Sequence, residues 1–254
     1  MEIAIPILVF IYGLIIGSFL NVCIYRIPRH IFFSSAKSFC TECHHKLAWY
    51  DLFPLFSYIF LGGRCRYCKE RISPRYPIVE AANAICWLAS YFVFKPDYLA
   101  AALTAVLSSV LIVVCFIDLD TMEIPNGMII VILVLALGRF IPSFFSLTDL
   151  VWWEYLVGAA CVSVPFFIVA LVTGGGIGGG DIKLCFAVGL FLGWKLTLLG
   201  TLFGVIFGAI ASVTLMVKYG KGGKSMIPLA PSLTAGFLLA AFVGKYILAA
   251  IFPW

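Results

Sequence analysis

Three aspartates stand beside apolar sequence in this chain. Asp118 closes the run Leu111 to Ile117, Asp120 follows two positions later, and Asp181 closes a glycine-rich run from Gly174 to Gly180. A carboxylate in hydrocarbon costs roughly 2.5–3.5 kcal/mol at the centre of an inserted helix, so each position asks for a use. Two carboxyls held close share one proton and divide into a base and an acid. One then deprotonates water while the other protonates a leaving group or polarises a carbonyl, which hydrolyses a peptide bond with neither a metal nor a covalent intermediate. Asp118 and Asp120 point about 200° apart on a helix, so only one can face a given partner. Asp118, nearer the apolar run, is the better candidate.

Glycine before Asp181 allows the backbone to unwind and an extended substrate to approach closely. Such backbone is tolerated at membrane depth where it lines a wet cavity. The same residues also admit a structural reading. In it, Asp118 is a boundary residue facing water and Asp181 is an N-cap or first-turn residue of a helix beginning at Ile182. Pro125 breaks the chain between Asp118 and the next apolar run. Lys183 either orients the carboxyl pair or snorkels to lipid head groups.

A second constellation is Cys40-x-x-Cys43 followed, after 21 intervening residues, by Cys65-x-x-Cys68. Two such pairs suit a tetrahedral four-thiolate zinc site, each turn presenting two thiolates to one ion. A segment of this size has little core of its own, and metal binding supplies folding free energy that burial cannot. His44 and His45 directly follow Cys43 and are read as neighbours rather than ligands. The other cysteines, Cys23, Cys86, Cys115, Cys161 and Cys185, lie in or beside apolar runs, where a free thiol behaves as a small hydrophobe.

The elements that must position these groups are membrane helices. The chain has 254 residues, 63% of them hydrophobic and only 11% charged, which excludes a soluble globule. A hydrocarbon core about 30 Å thick needs about 20 helical residues. On that measure eight spans are expected, near 3–25, 78–94, 99–117, 126–142, 154–173, 182–194, 196–217 and 231–253, the sixth of them short. Met1-Glu2 lacks the basic start of a signal peptide, so the first run is expected to be a retained helix. The expected fold is therefore an all-α polytopic membrane protein with a small zinc-binding loop between its first two helices. Residues 1–25 form the first helix, 26–77 the four-cysteine loop and 78–254 the remaining membrane domain.

Thirteen of the 17 basic residues fall on one side of this arrangement, nine of them between Arg26 and Arg75, with Lys183, Lys218, Lys221 and Lys224. That side is expected to be cytoplasmic. Asp118, Asp120 and Asp181 then share one boundary, although 60 or more residues separate Asp181 from the others. In the cytoplasm thiols stay reduced, which favours zinc over disulfides in the loop. The net charge of +5 fits attraction to anionic lipid rather than to nucleic acid, since no compact Lys/Arg block is present.

Several of these segments together resemble a known family. Phe116-Ile117-Asp118-Leu119-Asp120, Glu123-Ile124-Pro125-Asn126 and Gly178-Gly179-Gly180-Asp181-Ile182-Lys183 are similar to the two aspartate motifs of the bacterial type IV prepilin peptidases, which are GxGD intramembrane aspartyl proteases. Gly17-Ser18-Phe19-Leu20-Asn21-Val22 and Tyr25-Arg26-Ile27-Pro28 resemble the first-helix signature of that family. Further matches are Trp49-Tyr50-Asp51-Leu52-x-Pro54, Ser57-Tyr58, Gly63-Arg64-Cys65 and Ile72-Ser73-x-Arg75-Tyr76-Pro77-x-x-Glu80.

The resemblance implies a catalytic dyad of Asp118 and Asp181 in the bacterial inner membrane. It implies cleavage of prepilin or pseudopilin leaders after a glycine, and N-methylation of the new N-terminal residue with S-adenosylmethionine. Nothing in the residues themselves marks a methyl-donor site, because the Gly174 to Gly180 run follows a membrane span and is no dinucleotide fingerprint. Asp51 and Glu80 are polar residues that suit such a site, although Glu80 also suits a pairing with Arg75 or a helix N-terminal role. The main rival reading is an ion-coupled transporter, which also places carboxylates and broken helices in the membrane. It predicts an inverted repeat, and the flanks of Asp118 and Asp181 are dissimilar. A zinc-bearing scaffold without chemistry leaves the glycine run unexplained.

Overall fold

The computed structural model describes residues 4–31, 38–40, 42–145, 151–219 and 228–251. Lys37, Lys221 and Lys224, which entered the charge count, and Met1-Glu2 lie outside the described residues. The helices are α1 (Ala4–Arg26), α2 (Phe56–Phe60), α3 (Arg75–Phe94), α4 (Tyr98–Thr121), α5 (Asn126–Phe144), α6 (Trp152–Val172), α7 (Gly179–Leu192), α8 (Trp194–Tyr219) and α9 (Ala230–Ile251). No strand occurs among the described residues, only two isolated bridges.

Seven of the helices are long and apolar enough to cross a membrane, which makes the chain a multi-pass membrane protein. The sixth expected span, 182–194, is α7, a helix of 14 residues. At 1.5 Å per residue it is about 21 Å long, shorter than a hydrocarbon core of about 30 Å. A single residue, Gly193 with φ 78°, separates it from α8.

The chain divides into two compact units, Met1–Val113 and Val114–Trp254. In the first, α1 packs on α3 through a pair of glycines one helical turn apart. Cβ atoms at Gly13 and Gly17 would lie 2.7 Å from the Cα atoms of Ala84 and Glu80. Small residues at this spacing let helix backbones meet closely where lipid offers no hydrophobic drive for association. A polar network secures the contact. Asn83 Nδ2 donates to the Gly13 carbonyl at 2.7 Å, and Ser109 Oγ donates to Asn83 Oδ1 at 2.7 Å while accepting from Trp87 Nε1 at 2.9 Å.

The second unit uses the same device twice. On α6 and α7, a Cβ at Gly158 would collide with the Gly189 carbonyl, and one at Gly189 with the Gly158 carbonyl. On α8 and α9, a Cβ at Gly236 would collide with the backbone of Gly200 and Gly204. These contacts fix the bearing of α7 and α9, the two helices whose N-termini reach the aspartates.

Candidate active site and metal centre

Helix α4 runs four residues past the span expected from hydropathy, so Asp118 and Asp120 both lie in its last turns. Their faces differ as helical geometry requires: Asp118 is 5% exposed, whereas Asp120 is exposed. Beyond Thr121 the helix stops at Met122, which has φ 56° and donates its N–H to the Asp118 carbonyl at 2.9 Å. Pro125 then precedes the first residue of α5. The extended link between these helices carries Ile124.

Asp181 is the third residue of α7, in its first turn, where the helix dipole favours a carboxylate. The glycine run is only partly unwound. Gly174 and Gly175 take positive φ, but Gly178 is already the N-cap, and its carbonyl accepts the N–H of Asp181 at 3.1 Å. The three glycines that follow Ile177 have distinct surroundings. A Cβ at Gly178 would sit 2.9 Å from Asp181 Oδ2, and one at Gly180 would sit 3.1 Å from Ile124 Cβ, whereas one at Gly179 would meet nothing. Close approach at Gly180 thus lays the link between α4 and α5 against the start of α7. Asp118 precedes this junction on α4, and Asp181 directly follows Gly180 on α7.

Asp118 has a partner that sequence reading missed. Its Oδ2 accepts the backbone N–H of Ala230 at 3.1 Å in a buried contact, and Ala230 is the first residue of α9. The Pro228 to Pro231 segment therefore acts as a helix start that aims a free N–H at the carboxylate. Unsatisfied amides at a helix N-terminus are a natural anion site. Lys183 donates to Asn126 Oδ1 at 3.0 Å, tying the start of α7 to the start of α5, and its ammonium is exposed.

The four loop cysteines come together. Their sulfurs all lie within 4.8 Å of one another, and Cys40 Sγ and Cys68 Sγ are 3.9 Å apart. Tetrahedral ligation at about 2.3 Å per thiolate demands sulfurs about 3.8 Å apart, whereas a disulfide requires about 2.05 Å. This donor set fits a metal ion. Each pair sits on the same turn: the Cys40 N–H donates to the His45 carbonyl at 3.0 Å, and the Cys65 N–H to that of Glu70 at 2.8 Å. The residue after each second cysteine, His44 and Lys69, takes φ 57° and 63°. Burial pushes the Cys65 thiol up, but the N–H groups of Cys68 and Tyr67 and the neighbouring thiols outweigh it and bring the group down to about 7. His45 stands outside the cluster, tilted against Tyr67 with ring centroids 3.7 Å apart.

Asp51 and Glu80 are both held by backbone or side-chain donors. Asp51 Oδ1 accepts Arg66 Nε at 2.7 Å, and its Oδ2 accepts the Ala48 N–H at 3.3 Å. Glu80, 8% exposed, accepts the N–H of Leu55 at 2.8 Å. Cys23 and Cys185 are buried in α1 and α7, and Cys86, Cys115 and Cys161 are half-buried in α3, α4 and α6.

With this geometry in view, the comparisons with known proteins are specific. Residues 11–94 match the family described as Bacterial Peptidase A24 N-terminal domain, and residues 105–213 match the Type IV leader peptidase family. A Bacillus subtilis (strain 168) protein named prepilin leader peptidase/N-methyltransferase is 34% identical, with 95% of each chain covered. Proteins of the same name from Vibrio cholerae serotype O1 and Aeromonas hydrophila are 34% and 32% identical, covering 95% and 94% of this chain and 98% and 91% of theirs. No solved structure matches. The transporter reading finds no support in these matches. A match of this identity over nearly the whole length is decisive: the chain belongs to the type IV leader peptidase family.

Proposed function

We propose that this protein is an intramembrane aspartyl endopeptidase that removes the basic leader of type IV prepilins or pseudopilins after a glycine, and then N-methylates the new N-terminal residue. Asp118 and Asp181 form the dyad. One carboxyl takes a proton from water and the other delivers a proton to the departing amine, so the peptide bond breaks without a metal. The observation that carries this reading is the close approach of Ile124 and Gly180, which brings the link after α4 against the start of α7 in a chain of the leader peptidase family. A glycine at the scissile bond suits the site, because a helical peptide bond must be unwound before attack and glycine resists unwinding least.

The basic flanks assign the boundary at Asp118 and Asp181 to the cytoplasmic side of the bacterial inner membrane, and the four-cysteine loop to the same side. Residues 26–77 form the zinc-bearing region, and residues 78–254 carry the peptidase. Zinc is the ion that four thiolates at this spacing suit. Its role is structural, because four protein ligands leave no open position for substrate.

The test is incubation of the purified protein with a model prepilin and S-adenosylmethionine, followed by mass spectrometry. Loss of the leader after the glycine, with a product one methyl group heavier, is expected. An intact substrate would contradict the peptidase assignment, and an unmethylated product would contradict the second activity.

A further inference from the structure

Twelve successive residues of the cysteine loop, Leu52 to Gly63, carry no charge, and they lie between Asp51 and Arg64. Helix α2 occupies the middle of this run. Both ends are tied to the cysteine turns. Asp51 Oδ1 accepts Arg66 Nε at 2.7 Å, and the Gly63 carbonyl accepts the Ile72 N–H at 2.7 Å.

The middle of the run reaches the other way, toward the membrane helices. Leu55 donates its N–H to Glu80 Oε2 at 2.8 Å, and Glu80 is the sixth residue of α3. The register of α1 on α3 gives the level of that contact. Gly17 lies against Glu80, and Asn21 Nδ2 donates to the Tyr76 carbonyl at 3.2 Å, so the two helices run antiparallel. Glu80 therefore stands level with a point nine residues, or about 13 Å, inside the end of α1 at Arg26. A glutamate side chain and one hydrogen bond together span at most about 8 Å. Leu55 is thus held several ångströms to the membrane side of Arg26.

The side chains of the run divide into two faces. Ser57, Tyr58 and Leu61 line a cavity of about 580 Å³ whose other walls, on α1 and α3, include Phe19 and Glu80. Phe53, Phe56, Ile59 and Phe60 turn away from the protein, Ile59 being 69% and Phe60 84% exposed. The exposure matches that of Ile78, Ile85 and Phe92 on α3, a helix apolar enough to cross the membrane. Leaving such side chains in water forgoes about 1.5–3 kcal/mol each. The adjoining turns expose Arg64, Lys69 and Arg71, cations that suit phosphate head groups.

We propose that residues 52–61 form an interfacial element whose outer face, Phe53, Phe56, Ile59 and Phe60, is seated in lipid at the boundary of head groups and acyl chains. The partner is the bilayer rather than another protein because the element is bonded to a membrane helix at a level inside that helix bundle's end. Interfacial elements of this kind sink an apolar face about 5–10 Å into that boundary, and aromatic side chains are enriched there. The metal-binding turns then stand in the head-group layer, and the cavity behind α2 lies beside the membrane surface. The loop is docked on the bilayer instead of hanging free in water.

The experiment places the full-length, zinc-loaded protein in vesicles of phosphatidylethanolamine and phosphatidylglycerol doped with a phospholipid that carries a diazirine high on one acyl chain. After illumination, labelled peptides are mapped by mass spectrometry. Residues 52–61 of wild type are expected to carry lipid adducts at the yield found on the exposed face of α3, and the turns at Cys43 and Cys68 to carry none. Adducts on α3 with none on residues 52–61 would overturn the proposal. Phe60→p-benzoylphenylalanine, with folding checked by gel filtration and zinc content, reports the occupant directly. Cross-links to acyl chains are expected. A cross-linked pair of chains, a cross-link to added model prepilin, or no adduct at all would assign the face to a second copy, to substrate or to water, and each of these results would overturn the proposal.

Discussion

Asp118 Oδ2 accepts the backbone N–H of Ala230 at 3.1 Å, so a carboxylate on α4 rests on the first amide of α9, 112 residues further along the chain. Asp181 stands in the first turn of α7. Each aspartate thus meets the positive end of a helix, an arrangement that favours a carboxylate by about 0.3–1 kcal/mol, and by up to about 2 kcal/mol when partly buried.

Removing the N–H at position 230 tests that arrangement. Proline is tolerated in the first turn of a helix, where its missing N–H breaks no intrahelical bond. Ala230→Pro is expected to keep the membrane fold and lower kcat for leader cleavage about 10- to 100-fold, as expected for a lost hydrogen bond to a charged group. Unchanged kcat would show that the amide does not act on Asp118.

The glycines before Asp181 should not be equivalent. Gly179→Ala, with open space around its Cβ, is expected to cleave at close to the wild-type rate. Gly180→Ala must displace Ile124, and overpacking of this kind costs about 1–3 kcal/mol. Cleavage should fall, and Ile124→Ala in the same chain should restore part of it. Steady-state kinetics on the three variants decide the order.

Much of the site was legible in the sequence because its residues are costly where they stand. A carboxylate among apolar residues marks Asp118 and Asp181, and paired Cys-x-x-Cys turns mark a metal centre. Ala230 carried no such mark, since a backbone N–H has no side chain to betray it. Glu80 was visible as a polar residue, but its partner is the backbone of Leu55, and the cavity it faces gathers residues from α1, the loop and α3. The fold was equally legible in its apolar runs, the short sixth one included, although α7 starts three residues before the expected position, at Gly179, because hydropathy alone does not place a helix start among glycines. The Gly13 and Gly17 pair, spaced one turn apart in an apolar run, was a readable packing signal.

Metal removal should act on the first unit. Structural zinc supplies about 10–16 kcal/mol of binding free energy in zinc-finger peptides. One zinc per chain is expected by elemental analysis, and chelation or Cys65→Ser is expected to open the loop to proteolysis between Arg26 and Arg75. A loop equally protected without metal would mean that the four sulfurs, all within 4.8 Å of one another, hold no structural ion.

Helix approach at Gly158 and Gly189 positions α7 and hence Asp181. Gly158→Leu drives a side chain into the α7 backbone, and overpacking is expected to cost about 1–3 kcal/mol or more. The thermal midpoint in detergent should fall, and cleavage should fall with it. Leucine at Gly127, where a Cβ would meet nothing, is the control expected to keep its midpoint.

The central claim is the pairing of Asp118 with Asp181, and the most direct test is cleavage of a model prepilin by purified wild type, Asp118→Asn, Asp120→Asn and Asp181→Asn. Folding of each is checked by gel filtration and zinc content. Asp118→Asn and Asp181→Asn are expected to lose cleavage while Asp120→Asn, altered on the exposed face of α4, retains it. Cleavage by folded Asp118→Asn or Asp181→Asn at the wild-type rate would contradict the dyad.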